Sequence, residues 1–131
     1  MQSSESKDGE LDRIARSVVD CVFTVHKELG PGLLESVYQA CLCEELRSRR
    51  ISFQEQVCLP IKYRMLRLES GLRLDLLIED LIIVELKSVH RMEPLFKAQL
   101  LSYLRVSGLH LGFLITFNVA LIKEGIFRIA S

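Results

Sequence analysis

A mixed α/β domain is what the apolar pattern predicts. Two observations carry this expectation. The apolar repeat runs at three to four residues as far as about Arg49 and drops to two from Val57, and the run Leu109–Phe117 is apolar on both faces, as an inner strand covered from both sides must be. The length of 131 residues suits one domain and leaves no room for a second core. With 49% hydrophobic and 26% charged residues, the chain can bury a core without metal or disulfide staples. Its 17 basic and 17 acidic residues cancel, so no global field attracts a polyanion and a nucleic-acid role would need a local basic patch. No run reaches the roughly 18 consecutive apolar residues of a membrane helix, and residues 1–10 lack the apolar stretch of a secretory leader; a soluble, cytoplasmic protein is expected.

After a polar start over residues 1–10, expected to be frayed, Leu11, Ile14, Val18, Val22, Val25 and Leu29 line one face of a helix. Gly30-Pro31-Gly32 stops it, since Pro cannot continue the ladder and Gly supplies left-handed geometry. A second helix is expected from Leu33 to Arg49, with Leu34, Val37, Tyr38, Cys41, Leu42 and Leu46 inward. From Val57 to Met65 apolar residues alternate with polar ones, and Pro60 argues for an edge strand. Ser70-Gly71 reads as a turn, followed by two apolar runs, Leu72–Ile78 and Ile82–Val89, which read as an antiparallel hairpin. A helix from Pro94 to about Val106, ended by Gly108, precedes the covered strand, and Leu121–Ile129 reads as short strand on either side of Glu124-Gly125.

The hairpin carries an anomaly. If residues 79–81 form its loop, Ile78 faces Ile82, Leu76 faces Val84 and Leu74 faces Leu86 on one apolar side, while Leu77/Ile83, Asp75/Glu85 and Arg73/Lys87 share the other. Two carboxylates directly across a strand pair repel each other unless a cation compensates. Two readings fit. A divalent metal held by Asp75 and Glu85, with the Lys87 ammonium two residues on, is the apparatus of metal-assisted phosphodiester hydrolysis. Ordinary surface ion pairs, Glu85 with Lys87 and Asp75 with Arg73, need no metal.

With these residues in place the chain resembles the PD-(D/E)XK nuclease superfamily, and more narrowly the family named for its GxxExxY motif, here Gly32-Leu33-Leu34-Glu35-Ser36-Val37-Tyr38. His26 to Gly32, Arg73-Leu74-Asp75, Glu85-Leu86-Lys87, Gln99 to Leu104 and Gly112 to Ile115 follow in the family's order. The resemblance implies a restriction-endonuclease-like core, a central mixed β-sheet flanked by helices. It implies Mg²⁺, or Mn²⁺, held by Asp75 and Glu85 with Glu35 as an auxiliary ligand, Lys87 as catalytic cation, and Gln99 and Tyr103 beside a DNA substrate, RNA being the lesser expectation. It places a turn at Met65, where Gly is usual. The same fold hosts non-catalytic members, so a binding module or homodimeric assembly domain is the alternative.

Other residues have plainer readings beside these. Glu35 suits the positive end of a helix dipole, and Tyr38, one turn on, is a core tyrosine that could also meet Glu35. Gln99 and Tyr103 share a helix side at i and i+4. Lys62, Arg64, Arg67 and Arg73 form the densest basic group, suited either to phosphates or to the solvated face of an edge strand. Cys21, Cys41, Cys43 and Cys58 have no zinc spacing and read as buried reduced thiols. His90 reads as a solvated loop residue, and His26 on the first helix and His110 on the covered strand carry no role.

Overall fold

A computed structural model describes the backbone of residues 4–131 and the side chains of residues 9–131. The first three residues of the segment expected to be frayed lie outside that range; from Ser4 the chain is already helical. Helix α1 runs Ser4–Leu29, well ahead of the apolar stripe, because extending a formed helix adds a hydrogen bond per residue and needs no apolar face. Helix α2 spans Glu35–Ser48, strand β1 Phe53–Tyr63, β2 Leu66–Ile78, β3 Ile82–Leu86, helix α3 Pro94–Ser107, β4 Leu111–Ile115 and β5 Ile126–Ala130.

The strands form one mixed sheet in the order β1-β2-β3-β4-β5, with β3 and β4 parallel and the other pairs antiparallel. Helices α1 and α2 cover one face, where Val18, Val22, Leu42 and Leu46 pack on Leu76, Ile78, Ile82 and Val84. Helix α3 covers the other with Leu100 and Leu104 on Leu74, Ile83 and Leu114. All five residues of β3 and of β4 are buried, which explains their unbroken apolar runs. β1 is the sheet edge, the place its Pro60 requires.

Several local expectations are corrected. Ser70 and Gly71 lie inside β2, not in a turn; the turn is at Arg64-Met65, between the paired Tyr63 and Leu66. The pairing shifts between Leu59 and Ile61, and a Cβ on Gly71 would stand 2.5 Å from Ile61 Cγ1, so this glycine serves close packing at a bulge. Residues Ile122–Gly125 form a 3₁₀ turn, leaving β5 as the only strand of the last segment. On α2, Leu34 is the N-cap and 72% exposed, and Val37 is exposed, whereas Cys43 takes the inward place. Among the cysteines, Cys21 and Cys43 are buried, Cys41 is half-buried and Cys58 is exposed, all unpaired. His110 precedes β4 and is exposed, while His26 is buried with Nε2 2.8 Å from the Val119 carbonyl oxygen.

Candidate active site

The hairpin joining β2 and β3 turns through Glu79 and Asp80, both left-handed (φ 54° and 53°), with the Leu81 N–H donating to the Ile78 carbonyl. Mirror-image turns of this kind match the twist of the strands they join. The pairing is Ile78 with Ile82, Leu77 with Ile83 and Leu76 with Val84, as expected, and there it stops.

Beyond Leu76 the strands part, which corrects the expected backbone pairings of Asp75 with Glu85 and of Leu74 with Leu86. Leu86 stays on the α1/α2 face and Leu74 lies under α3. Strict alternation would put Leu74 on the same face as Leu76, so the faces of the ribbon exchange at Asp75. Opposite this step, Gln56 of β1 is left-handed (φ 51°), and the β1–β2 pairing passes over it. Arg73 likewise sits opposite Cys58 of β1, not Lys87.

The two acids fill the gap left in the ladder. Glu85 Oε2 accepts the Asp75 N–H at 2.7 Å, and Asp75 Oδ2 accepts the Leu86 N–H at 2.8 Å. Each carboxylate therefore replaces a carbonyl that the parted strands no longer offer, since a backbone N–H at a half-buried site needs an acceptor. The other oxygens, Glu85 Oε1 and Asp75 Oδ1, have no protein partner. No fully buried side-chain oxygen among the described residues is left unpaired, so neither of these two atoms is sealed from solvent. Glu85 is 5% exposed; burial, and then the charge of Asp75, push its carboxyl up from 4.5 to about 8, opposed by the Asp75 N–H, Lys87 and Arg73.

Lys87 follows the end of β3, where its N–H donates to the Ile115 carbonyl at 2.9 Å. Its ammonium is held from α3: Nζ donates to Gln99 Oε1 at 3.3 Å and lies 4.7 Å from the centre of the Phe96 ring. Phe96 escaped the sequence reading, although its spacing of three from Gln99 puts both on one helix side. One turn after Gln99, Tyr103 is half-buried and its phenol is pushed up by burial and then by the charges of Glu85 and Asp75. Asp75, Glu85, Lys87, Gln99 and Tyr103 thus share one neighbourhood, with Arg73 exposed at its rim.

No hydrogen bond among the described residues joins Glu35 or Tyr38 to these side chains. Glu35 is exposed in the first turn of α2, and among the described residues no group of three or more His, Cys, Asp or Glu is placed to hold an ion. Tyr38 is buried; its hydroxyl donates to the Gly30 carbonyl at 2.5 Å and accepts the Leu33 N–H at 3.1 Å, and its ring stacks on Phe117 at 4.3 Å. The tyrosine of the Gly32–Tyr38 motif therefore ties down the turn between α1 and α2 and has no hydrogen bond with Glu35. His90 is exposed.

The donor set suits a hard divalent cation. Two carboxylates offer one outward oxygen each, and Mg²⁺ is commonly held by one or two carboxylates with water and phosphate oxygens completing the shell. The carboxyl of Glu85, costly to ionise alone, gains a compensating charge when such an ion is bound. No helix among the described residues is long and apolar enough to cross a membrane. Neither curated proteins nor solved structures yield a match to this chain. A family model described as PD-(D/E)XK nuclease superfamily matches residues 12–129, nearly the whole chain, and the chain belongs to that superfamily.

Proposed function

We propose that this protein is a metal-dependent nuclease, of the GxxExxY type, that hydrolyses phosphodiester bonds of DNA. The observation that carries the reading is the pair of carboxylates, each fixed by one oxygen to the opposite strand and open at the other, beside an ammonium fixed from α3. Asp75 and Glu85 would hold Mg²⁺ or Mn²⁺, which supplies Lewis-acid polarisation of the phosphodiester and acidifies an attacking water. As the water oxygen bonds to phosphorus, the bond to the leaving sugar oxygen breaks and that oxygen gains a proton. Lys87 stabilises the negative charge that grows on the phosphoryl oxygens, and it does so from a geometry set in advance by Gln99 and Phe96. Tyr103 borders the same space. Glu35 is kept outside the ligand set as an acid at a helix start. The four free cysteines suit a reducing compartment, in keeping with cytoplasmic placement.

Cleavage of DNA with Mg²⁺, abolished by chelator and lowered on the order of 10²–10³-fold by Lys87→Ala, is the expected result. In parallel, Mg²⁺ should raise the melting temperature of the wild type and leave that of Asp75→Ala unmoved. Undiminished cleavage by Lys87→Ala, or no metal response in either protein, would overturn the assignment and return the chain to a binding module that keeps the fold.

A further inference from the structure

The β1–β2 hairpin outgrows the sheet. β3 pairs with β2 only from Leu76 to Ile78, so among the described residues β2 from Leu66 to Leu74 has β1 as its one strand partner. At its base this ribbon rests on the α3 cluster through Val57, Leu59 and Ile61. Past Ile61 the backing ends, and all nine residues from Lys62 to Ser70 are exposed.

Charge on this ribbon is lopsided. Residues 57–74 carry Lys62, Arg64, Arg67 and Arg73 against a single acid, Glu69, in a chain whose net charge is zero. Lys62 faces Arg67 and Cys58 faces Arg73 across the two strands. Val57, Leu59 and Ile61 turn toward α3, so by alternation Cys58 and Lys62 with their partners occupy the opposite, solvent-facing side. Arg67 is paired with Glu69 at 2.6 Å, and the Arg64 guanidinium rests 5.3 Å from the Tyr63 ring centre. The tip itself is apolar between the cations, with Met65 99% and Tyr63 62% exposed. At the root of the ribbon, Arg73 is close enough to act on the Glu85 carboxyl.

We propose that the β1–β2 ribbon is a nucleic-acid-binding arm, with Arg73, Lys62, Arg64 and Arg67 engaging the backbone of duplex DNA and the Met65 tip entering a groove. The inference rests on the nucleic-acid reading of the site and extends it from Arg73, at the rim of that site, along the ribbon to its tip. Arg67 and Arg73 stand opposite Lys62 and Cys58, four residues apart on β1, and about 13 Å of strand matches roughly four phosphates of one DNA strand. A two-stranded ribbon fits the major groove, where the exposed Met65 and Tyr63 side chains can make apolar contact with thymine methyl groups. A solvated edge would not need Met and Tyr held out beside the cations, and charge complementarity selects a polyanion over a neutral partner.

Binding in chelator separates this inference from the nuclease reading, because no cleavage is required. Anisotropy with a labelled 20-base-pair duplex should show Lys62→Ala and Arg64→Ala each weakened about 3–10-fold, and the triple change Lys62→Glu, Arg64→Glu, Arg67→Glu weakened at least about 100-fold. The slope of log Kd against log salt should fall by about one per lost phosphate contact. Lys27→Glu and Lys123→Glu, away from the ribbon, should bind as the wild type, and circular dichroism should report an unchanged fold for all variants. The arm is refuted if the triple variant binds with the wild-type constant and slope, if the wild type does not bind the duplex, or if Met65→Ser alters the molecular mass in light scattering and leaves DNA binding unchanged. Wild-type binding lost in the triple variant, together with no metal-dependent cleavage, would sustain the arm while defeating the nuclease.

Discussion

Replacing Glu85 by Gln isolates what it costs to hold this carboxyl between two strands. The group is 5% exposed and pushed up from 4.5 to about 8, by burial first and by Asp75 second. Between about pH 5 and 8 the unfolded chain has already released this proton while the folded chain still holds it. The unfolded state then binds fewer protons, so the free energy of unfolding falls as pH rises through that window and levels off above it. At about 1.4 kcal/mol per pH unit, three units give a loss of about 4 kcal/mol, a large share of the roughly 5–15 kcal/mol that holds a domain together. Gln has no proton to lose and keeps an oxygen for the Asp75 N–H. The wild type minus Glu85→Gln difference, in which the histidines cancel, should therefore move by about 4 kcal/mol against the wild type from pH 5 to pH 8. Urea denaturation in chelator, followed by circular dichroism at several pH values, measures it. Parallel curves for the two proteins would refute the burial argument.

Tyr38→Phe removes both hydrogen bonds to the Gly30–Leu33 turn and keeps the stack on Phe117, so stability should drop about 1–2 kcal/mol in denaturant titration while DNA cleavage stays at the wild-type rate. Gly71→Ala drives a methyl to 2.5 Å from Ile61 Cγ1 and should cost about 1–3 kcal/mol, part of which a second change, Ile61→Ala, restores in the same titration. Thiol titration of the native protein should label Cys58 quickly; Cys21 and Cys43, whose thiols burial pushes up to about 11 and about 12, should react only on unfolding, and Cys58→Ser should remove the fast phase.

Where side chains repeat regularly, the sequence reported the structure faithfully. The helix of Pro94 with its stop at Gly108, the edge position of Pro60, the loop at residues 79–81 and the buried β4 all follow from local chemistry. The acids and Lys87 were legible because like charges across a strand pair demand an explanation. What escaped depends on contacts between distant segments. Gly71 looks like turn punctuation until the Ile61 side chain is seen against it. Leu74 alternates correctly on paper, but the left-handed Gln56 on the neighbouring strand accompanies an exchange of faces that no window on β2 contains. Phe96 reads as one more apolar residue of α3 until the Lys87 ammonium lies over its ring. Leu34 and Val37 fit a helical stripe, yet α2 begins with them outside the α1 contact.

The exchange of faces at Asp75 links fold to chemistry. Parting β2 from β3 deprives the N–H groups of Asp75 and Leu86 of ladder partners, and each carboxylate crosses to supply one. These two hydrogen bonds fix the acids in place, so the second oxygen of each needs little further ordering when an ion arrives. Accepting an N–H and carrying a negative charge are separable duties. Asn and Gln retain an acceptor oxygen for the backbone but carry no charge for a cation, so the double variant Asp75→Asn, Glu85→Gln should fold at least as stably as the wild type in chelator at pH 8. It should also show no rise in melting temperature with Mg²⁺ and no cleavage. If that variant unfolds, or if it still responds to Mg²⁺, the acids are not the joint between strand pairing and ion binding, and the cation must sit elsewhere in the molecule.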